Sequence, residues 1–149
     1  MSIAKILKIF SILLIIGVSS FGQKRDDGVF FVKKDQITKF HTITDLQELK
    51  KGDLLKLYKD RVREIVTVLP FIAITHEADV RLSDVGIKED SDHIKILKKS
   101  TDAAMESLEV TSESIEDLVA YADTEKIIWT ILFYEEMIKK MRIGVQSSF

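Results

Sequence analysis

Residues 91–122 read SDHIKILKKSTDAAMESLEVTSESIEDLVAYA, and this stretch decides the fold. Ile94, Leu97, Thr101, Ala104, Leu108, Thr111, Ile115, Leu118 and Ala122 recur in it at alternating spacings of three and four. Only a helix returns side chains to one face at that period, so the spacing predicts one long amphipathic helix from Asp92 to Tyr121. Asp90, Ser91 and Asp92 offer consecutive capping side chains at its start. The middle of the seam is small (Thr101, Ala104, Thr111), which lets a neighbouring helix come close.

Toward the C-terminus no glycine or proline interrupts the chain before the next segment; the phase does. Continuing the register would put Glu125, Trp129, Leu132, Glu136 and Lys139 in the seam, three of them charged. Ile127, Ile131, Tyr134, Ile138, Met141 and Val145 form the better stripe, and it has slipped out of register. A short turn at Tyr121–Thr124 is therefore expected, then a helix from Thr124 to Ile143, the two making an antiparallel hairpin. Ile128, Trp129, Leu132 and Phe133 make that last helix apolar nearly all round for two turns. It is expected to be the buried helix of a bundle or to face a partner. Trp129, Phe133, Met137 and Met141 step along one side, and at helical spacing they read as core before they read as a ligand pocket.

Toward the N-terminus a third seam runs through Leu55, Tyr58, Val62, Ile65, Leu69 and Ile72. Pro70 falls inside it. An interior proline costs roughly 3 kcal/mol, yet the phase continues to Ile72 and His76. A kinked helix from Asp53 to Thr75 is expected, with a stop at Leu69 as the alternative. Gly52 and Asp53 read as the stop and restart that set off a short leading helix, Thr44 to Lys51, with Thr44 and Gln47 as its capping box. Residues 77–92 read as a loop whose Leu82, Val85 and Ile87 plug one end of the core. Val29–Val32, VFFV, is either a strand or an extended arm, being too short for periodicity to decide. Ile37, Phe40 and His41 read as one ragged helical turn.

The first 23 residues have the layout of a secretory signal peptide. Lys5 and Lys8 precede an uncharged run, and Ser20 and Gly22 stand at −3 and −1 of a cut before Gln23. Fifteen uncharged residues separate Lys8 from Lys24, short of the roughly 20 that a spanning helix needs. The expectation is a periplasmic or secreted protein, with no membrane attachment after cleavage. The chain has no cysteine, so disulfides contribute nothing to its stability and a lipid-anchored thiol is excluded.

Composition agrees with helices. One proline and six glycines in 149 residues are few for an all-β chain with its many turns. With 46% apolar and 31% charged residues the chain is globular in composition. The net charge of −2 lacks the basic excess of a nucleic-acid binder, so no nucleic-acid partner is expected. The expected fold is all-α: a single-domain antiparallel helical bundle of three long helices plus a short leading helix, preceded by a signal peptide. Its divisions are a signal peptide at 1–22, an extended or flexible N-terminal arm at 23–43 and the bundle at 44–149. Seams with a period near 3.5 favour crossing angles of roughly 20°.

The sequence holds no HExxH pair, no glycine-rich phosphate loop and no paired Glu-x-x-His of a di-iron bundle. No catalytic residue, metal ligand or cofactor is expected. His76-Glu77-x-Asp79 is the densest group of potential ligands, but residues so close in a loop rarely converge on one ion, and His76 reads as a histidine at the edge of the core. His93 opens a helix, where a positive charge opposes the dipole. His41 stands isolated. Asp102, Glu106, Glu109, Glu113 and Glu116 recur at 4-3-4-3 opposite the seam of the long helix, as a solvated face, a docking face for a basic protein partner or a loose cation site. Lys56, Lys59 and Arg63 form a shorter basic row. The functional expectation is a non-enzymatic exported bundle that binds another protein, of adaptor, inhibitor or immunity type. The alternative is a small-ligand binder or enzyme with a pocket between the helices and the 77–92 loop.

Overall fold

Thr42 begins the first helix because its hydroxyl accepts from the Asp45 N–H at 3.2 Å while the Asp45 carboxylate accepts from the Thr42 N–H at 2.7 Å. These reciprocal bonds satisfy donors that a helix start leaves without partners, and they hold the Asp45 carboxyl below its usual range. The computed structural model describes residues 27–146. In it the chain forms α1 (Ile43–Gln47), α2 (Lys51–Thr67), α3 (Ser91–Asp117) and α4 (Thr124–Gln146). Short 3-10 turns stand at Lys33–Asp35, Leu69–Phe71, Ser83–Val85 and Val119–Tyr121. The protein is mostly helical, with no strand among the described residues. The signal peptide expected at 1–22 and the first residues of the arm lie outside the described residues.

Several expected boundaries move. The leading helix is Ile43–Gln47 with Thr42 as cap, rather than Thr44 to Lys51. Gly52 does not stop it: Gly52 is the second residue of α2, exposed and with open space where a β-carbon would stand. The break comes at Lys50, whose extended backbone (φ −71°, ψ 151°) turns the chain into α2. The kinked helix to Thr75 is not formed. α2 ends at Thr67 and Val68, and Pro70 sits in the 3-10 turn that follows. Proline fits such a turn, having no N–H for the Val66 carbonyl and a ring that would strike it in a continuing helix, and packing of the residues that follow holds the turn in place. The phase that carried across Pro70 has another cause: Phe71 and Ile72 pack as side chains of a turn against Phe30, Phe31, Val68, Leu82 and Leu97.

α3 is capped by Asp90, whose carboxylate accepts from the His93 N–H at 3.0 Å. That bond, together with the nearby His93 ring, lowers the Asp90 pKa. The buried row of α3 is Leu97, Leu108 and Ile115. Leu118, expected in the seam, is 71% exposed because the helix ends one residue before it and the backbone leaves the helical path in the 3-10 turn. α4 restarts at Thr124, as the phase slip requires, and buries Ile127, Ile128, Ile131 and Ile138.

VFFV is a buried arm that pairs briefly with the loop. Val29 bridges Arg81, the Phe30 N–H donates to the Val80 carbonyl at 3.2 Å, and the Asp79 N–H donates to the Phe31 carbonyl at 2.9 Å. Gly28 lies close to the loop, where a β-carbon would stand 2.8 Å from the end of the Arg81 side chain. Phe30 and Phe31 are buried with Leu82, and Val85 and Ile87 pack on them, so the loop does close one end of the core. Gly86 ends the Ser83–Val85 turn at φ 79°, a backbone that favours glycine.

α2 packs against both α3 and α4. Leu97 of α3 joins the cluster of Val68, while Leu108 and Ile115 join that of Val62, Tyr58 and Leu55. Ile127 and Ile131 of α4 join Leu46 and Leu54. Where the three long helices meet, the Tyr58 and Tyr134 rings stand edge to face at 5.5 Å. Burial there, with the Tyr134 hydroxyl close by, pushes the Tyr58 phenol up to about 12.

Candidate functional site

Charges stand beside the apolar seams of α2 and α4, and the structure buries three of them and gives each a partner far along the chain. On α2, Leu54, Arg61 and Glu64 are fully buried on one face, and Val68 at its C-cap continues that face. On α4 the buried row Ile131, Glu135, Ile138 continues to Arg142. Arg61 donates through Nε to Glu135 at 3.0 Å and through Nη2 to the same oxygen. Arg142 donates through Nε to Glu64 at 2.8 Å and again through Nη2. Two buried carboxylates thus each take two hydrogen bonds on one oxygen from a guanidinium, the kind of partner that a buried charge requires.

Both pairs hold the arm. The second oxygen of Glu64 accepts from the Ile37 N–H at 2.6 Å, and Arg142 donates to the Ile37 carbonyl at 3.1 Å. The second oxygen of Glu135 accepts from the His41 N–H at 2.6 Å, and Arg61 donates to the Lys39 carbonyl at 3.2 Å. Among the described residues no strand lies beside residues 37–41, and side chains supply hydrogen bonds that a sheet would. The expected helical turn at Ile37–His41 is not formed: the segment belongs to no helix or turn. His41 is not isolated either. Its Nδ1 lies 2.9 Å from Glu135 Oε1 and 3.0 Å from Arg61 Nη2. Phe40 lies under Lys139 and Arg142, at 5.0 and 5.6 Å from its ring centre.

Beside this clamp the arm and α2 enclose an open groove of about 360 Å³. Lys34, Gln36, Thr38, Lys39, Asp60 and Arg63 line it, with Arg61 and His41 at its base. This is not the place expected for a pocket. The 77–92 loop is occupied with Phe30 and Phe31, and the groove opens where the arm crosses α2.

The acidic row falls where the periodicity put it. Asp102, Glu106, Glu109, Glu113 and Glu116 are all exposed on α3, opposite the buried row Leu97, Leu108 and Ile115. Lys98 reaches Asp102 at 3.4 Å, and Lys59 of the basic row on α2 pairs with Glu116. The rest of the basic row is locally engaged, Lys56 with Asp53 and Arg63 with Asp60. His76 does not continue a helical seam: it is partly exposed in the loop, and its carbonyl accepts from Gln36 at 3.0 Å. Trp129 and Phe133, expected as core, face outward at 55% and 65% exposure.

The clamp left only a faint trace in the sequence. Arg61 and Glu64 stand in phase with Leu54, and Glu135 with Ile131 and Ile138, so charges occupy core positions on two helices. Nothing local says which charge meets which. Among the described residues no group of three or more His, Asp or Glu side chains is placed to hold a metal ion, and no helix is long and apolar enough to cross a membrane. Comparison with protein-family models, with curated proteins and with solved structures returns no match to this chain.

Proposed function

We propose that the protein is an exported, non-enzymatic antiparallel helical bundle that binds a basic protein partner through α3. The single observation that carries the reading is the face of α3. Five carboxylates line it over about four turns, and exposed Met105 and Val110 flank the row on either side. A charged row with apolar margins offers a partner both steering and contact area. The up-down-up arrangement is supported by the order of contacts. Rising numbers along α3 meet falling numbers along α2, whereas Leu54, Arg61 and Glu64 meet Ile131, Glu135 and Arg142 in rising order along α4. The layout of Lys5, Lys8 and the uncharged run before Gln23 supports export, which N-terminal sequencing of the protein from the cell envelope tests.

The docking test is charge reversal, with Glu106, Glu109 and Glu113 all changed to Lys. Helical circular dichroism should match the parent, since exposed substitutions usually shift stability by less than about 0.5 kcal/mol each. A partner recovered by the parent should be lost, and association should slow most at low salt. Recovery of the same partner by the triple variant would show that the row is a solvated face.

A second reading has its own observation, the groove between the arm and α2. Lys34, Lys39, Gln36 and Thr38 give it donors for a small anionic ligand. Mass spectrometry of the natively purified protein tests this, and a stoichiometric co-purifying small molecule would favour it over the protein-binding reading.

A further inference from the structure

We infer that the outer face of α4 is a self-association surface, on which a second copy of this chain lays its own α4 antiparallel. The reading does not depend on the acidic face of α3, which lies on another helix.

Lys126, Trp129, Phe133, Glu136 and Lys140 are all exposed and are spaced 3-4-3-4 along α4. Helical geometry gathers residues so spaced into a sector of roughly 80°, opposite the buried row Ile127, Ile131 and Ile138. Core packing thus explains the inner stripe; among the described residues nothing covers the centre of the outer one, where the Phe133 ring meets only that of its neighbour Tyr134, centres 6.1 Å apart, and stays 65% exposed. Its centre holds a tryptophan and a phenylalanine, side chains that dominate the energetics of association when a partner covers them.

The order of the charges selects the occupant. About a point midway between Trp129 and Phe133, Lys126 and Glu136 are equally distant and opposite in sign. A two-fold axis through that point sets Trp129 on the other copy's Phe133 and Lys126 on its Glu136, each contact being made twice. The parallel arrangement sets lysine on lysine and glutamate on glutamate. The stripe is therefore complementary to itself in one direction only. The Lys126 ammonium has no ion pair among the described residues. The Glu136 carboxylate has only the exposed Lys140, at 3.7 Å on its own helix, a pair easily exchanged for one across the axis. One helix face is smaller than a standard stable interface, so the dimer should form with concentration.

The test is sedimentation velocity of the purified protein over a concentration series, with tryptophan emission followed in parallel. Trp129 is the only tryptophan, so its emission reports the covering of this face directly. Dimerisation should rise with concentration and the emission should shift to shorter wavelength over the same range. Phe133→Ala should weaken the dimer by about tenfold or more, the scale of a truncated anchor residue. Lys126→Glu and Glu136→Lys should each weaken it. An equimolar mixture of those two variants should restore the parent affinity, because each then offers the other the opposite charge at both contacts. All of these residues are exposed, and unchanged circular dichroism excludes misfolding as the cause. A protein that stays monomeric with unshifted emission, a dimer indifferent to Phe133→Ala, or single charge variants that bind as the parent does would each overturn the inference.

Discussion

Glu135 takes three hydrogen bonds with two oxygens, two from Arg61 and one from the His41 backbone, and the His41 ring nitrogen lies 2.9 Å from one of them. Removing it strands the Arg61 guanidinium, which is 2% exposed, and leaves a backbone N–H without its acceptor. Breaking one side of a buried pair costs roughly 3–5 kcal/mol. Glu135→Ala is therefore expected to lower the urea unfolding free energy by about that amount, with Glu135→Gln milder because its amide oxygen still accepts from His41. A loss within the scatter of surface substitutions would show that the clamp is not a stabilising unit. Glu89 behaves differently because it is near the surface. Bidentate hydrogen bonds from Arg81 and a further one from Ser83 bring its pKa from the ordinary 4.5 to about 2. A carboxyl depressed in the folded state adds stability that is full above the unfolded value and is lost as pH falls through the folded one. Between about pH 4.5 and 2 the urea midpoint of the parent should fall more steeply than that of Glu89→Gln. Parallel curves would mean that the Arg81–Glu89 pair contributes nothing to acid stability.

At the scale of elements, the ends of helices were harder to read than their faces. The rows Leu97–Leu108–Ile115 and Ile127–Ile131–Ile138 follow from spacing alone, since burial at 3.6-residue period needs no knowledge of the neighbour. α2 shows the limit. Its periodicity runs on through Pro70, yet the helix stops at Thr67 and the same apolar residues pack from a 3-10 turn. With Phe71 and Ile72 held against Phe30 and Phe31, Pro70→Ala should leave helical ellipticity unchanged. It should cost about 0.4–1 kcal/mol, because the unfolded chain gains freedom. A rise in helical signal would mean that the proline alone ends α2 and that the packing merely follows. α4 shows a different limit. An apolar residue on nearly every side pointed to a helix surrounded by others, but α2 and α1 cover only one side of it. Trp129 and Phe133 are left in water by geometry that no single helix encodes.

For the whole molecule, sequence patterning by itself determined that the protein is mostly helical, where α3 and α4 begin, which rows of α3 and α4 are buried, and that the acidic row of α3 faces out. These are local properties. A side chain's phase within its own helix and a cap within one turn are set by residues three or four apart. The tertiary structure alone decided the rest. It threaded residues 28–41 past the loop and across α2, buried Phe30 and Phe31 against Leu82, and paired Arg61 with Glu135 and Glu64 with Arg142, 74 and 78 residues apart. A charge tolerated in a core requires a counter-charge and hydrogen-bond donors from elsewhere in the chain. Which ones arrive depends on how the helices are arranged, and that information lies in their packing rather than in the spacing of any one of them.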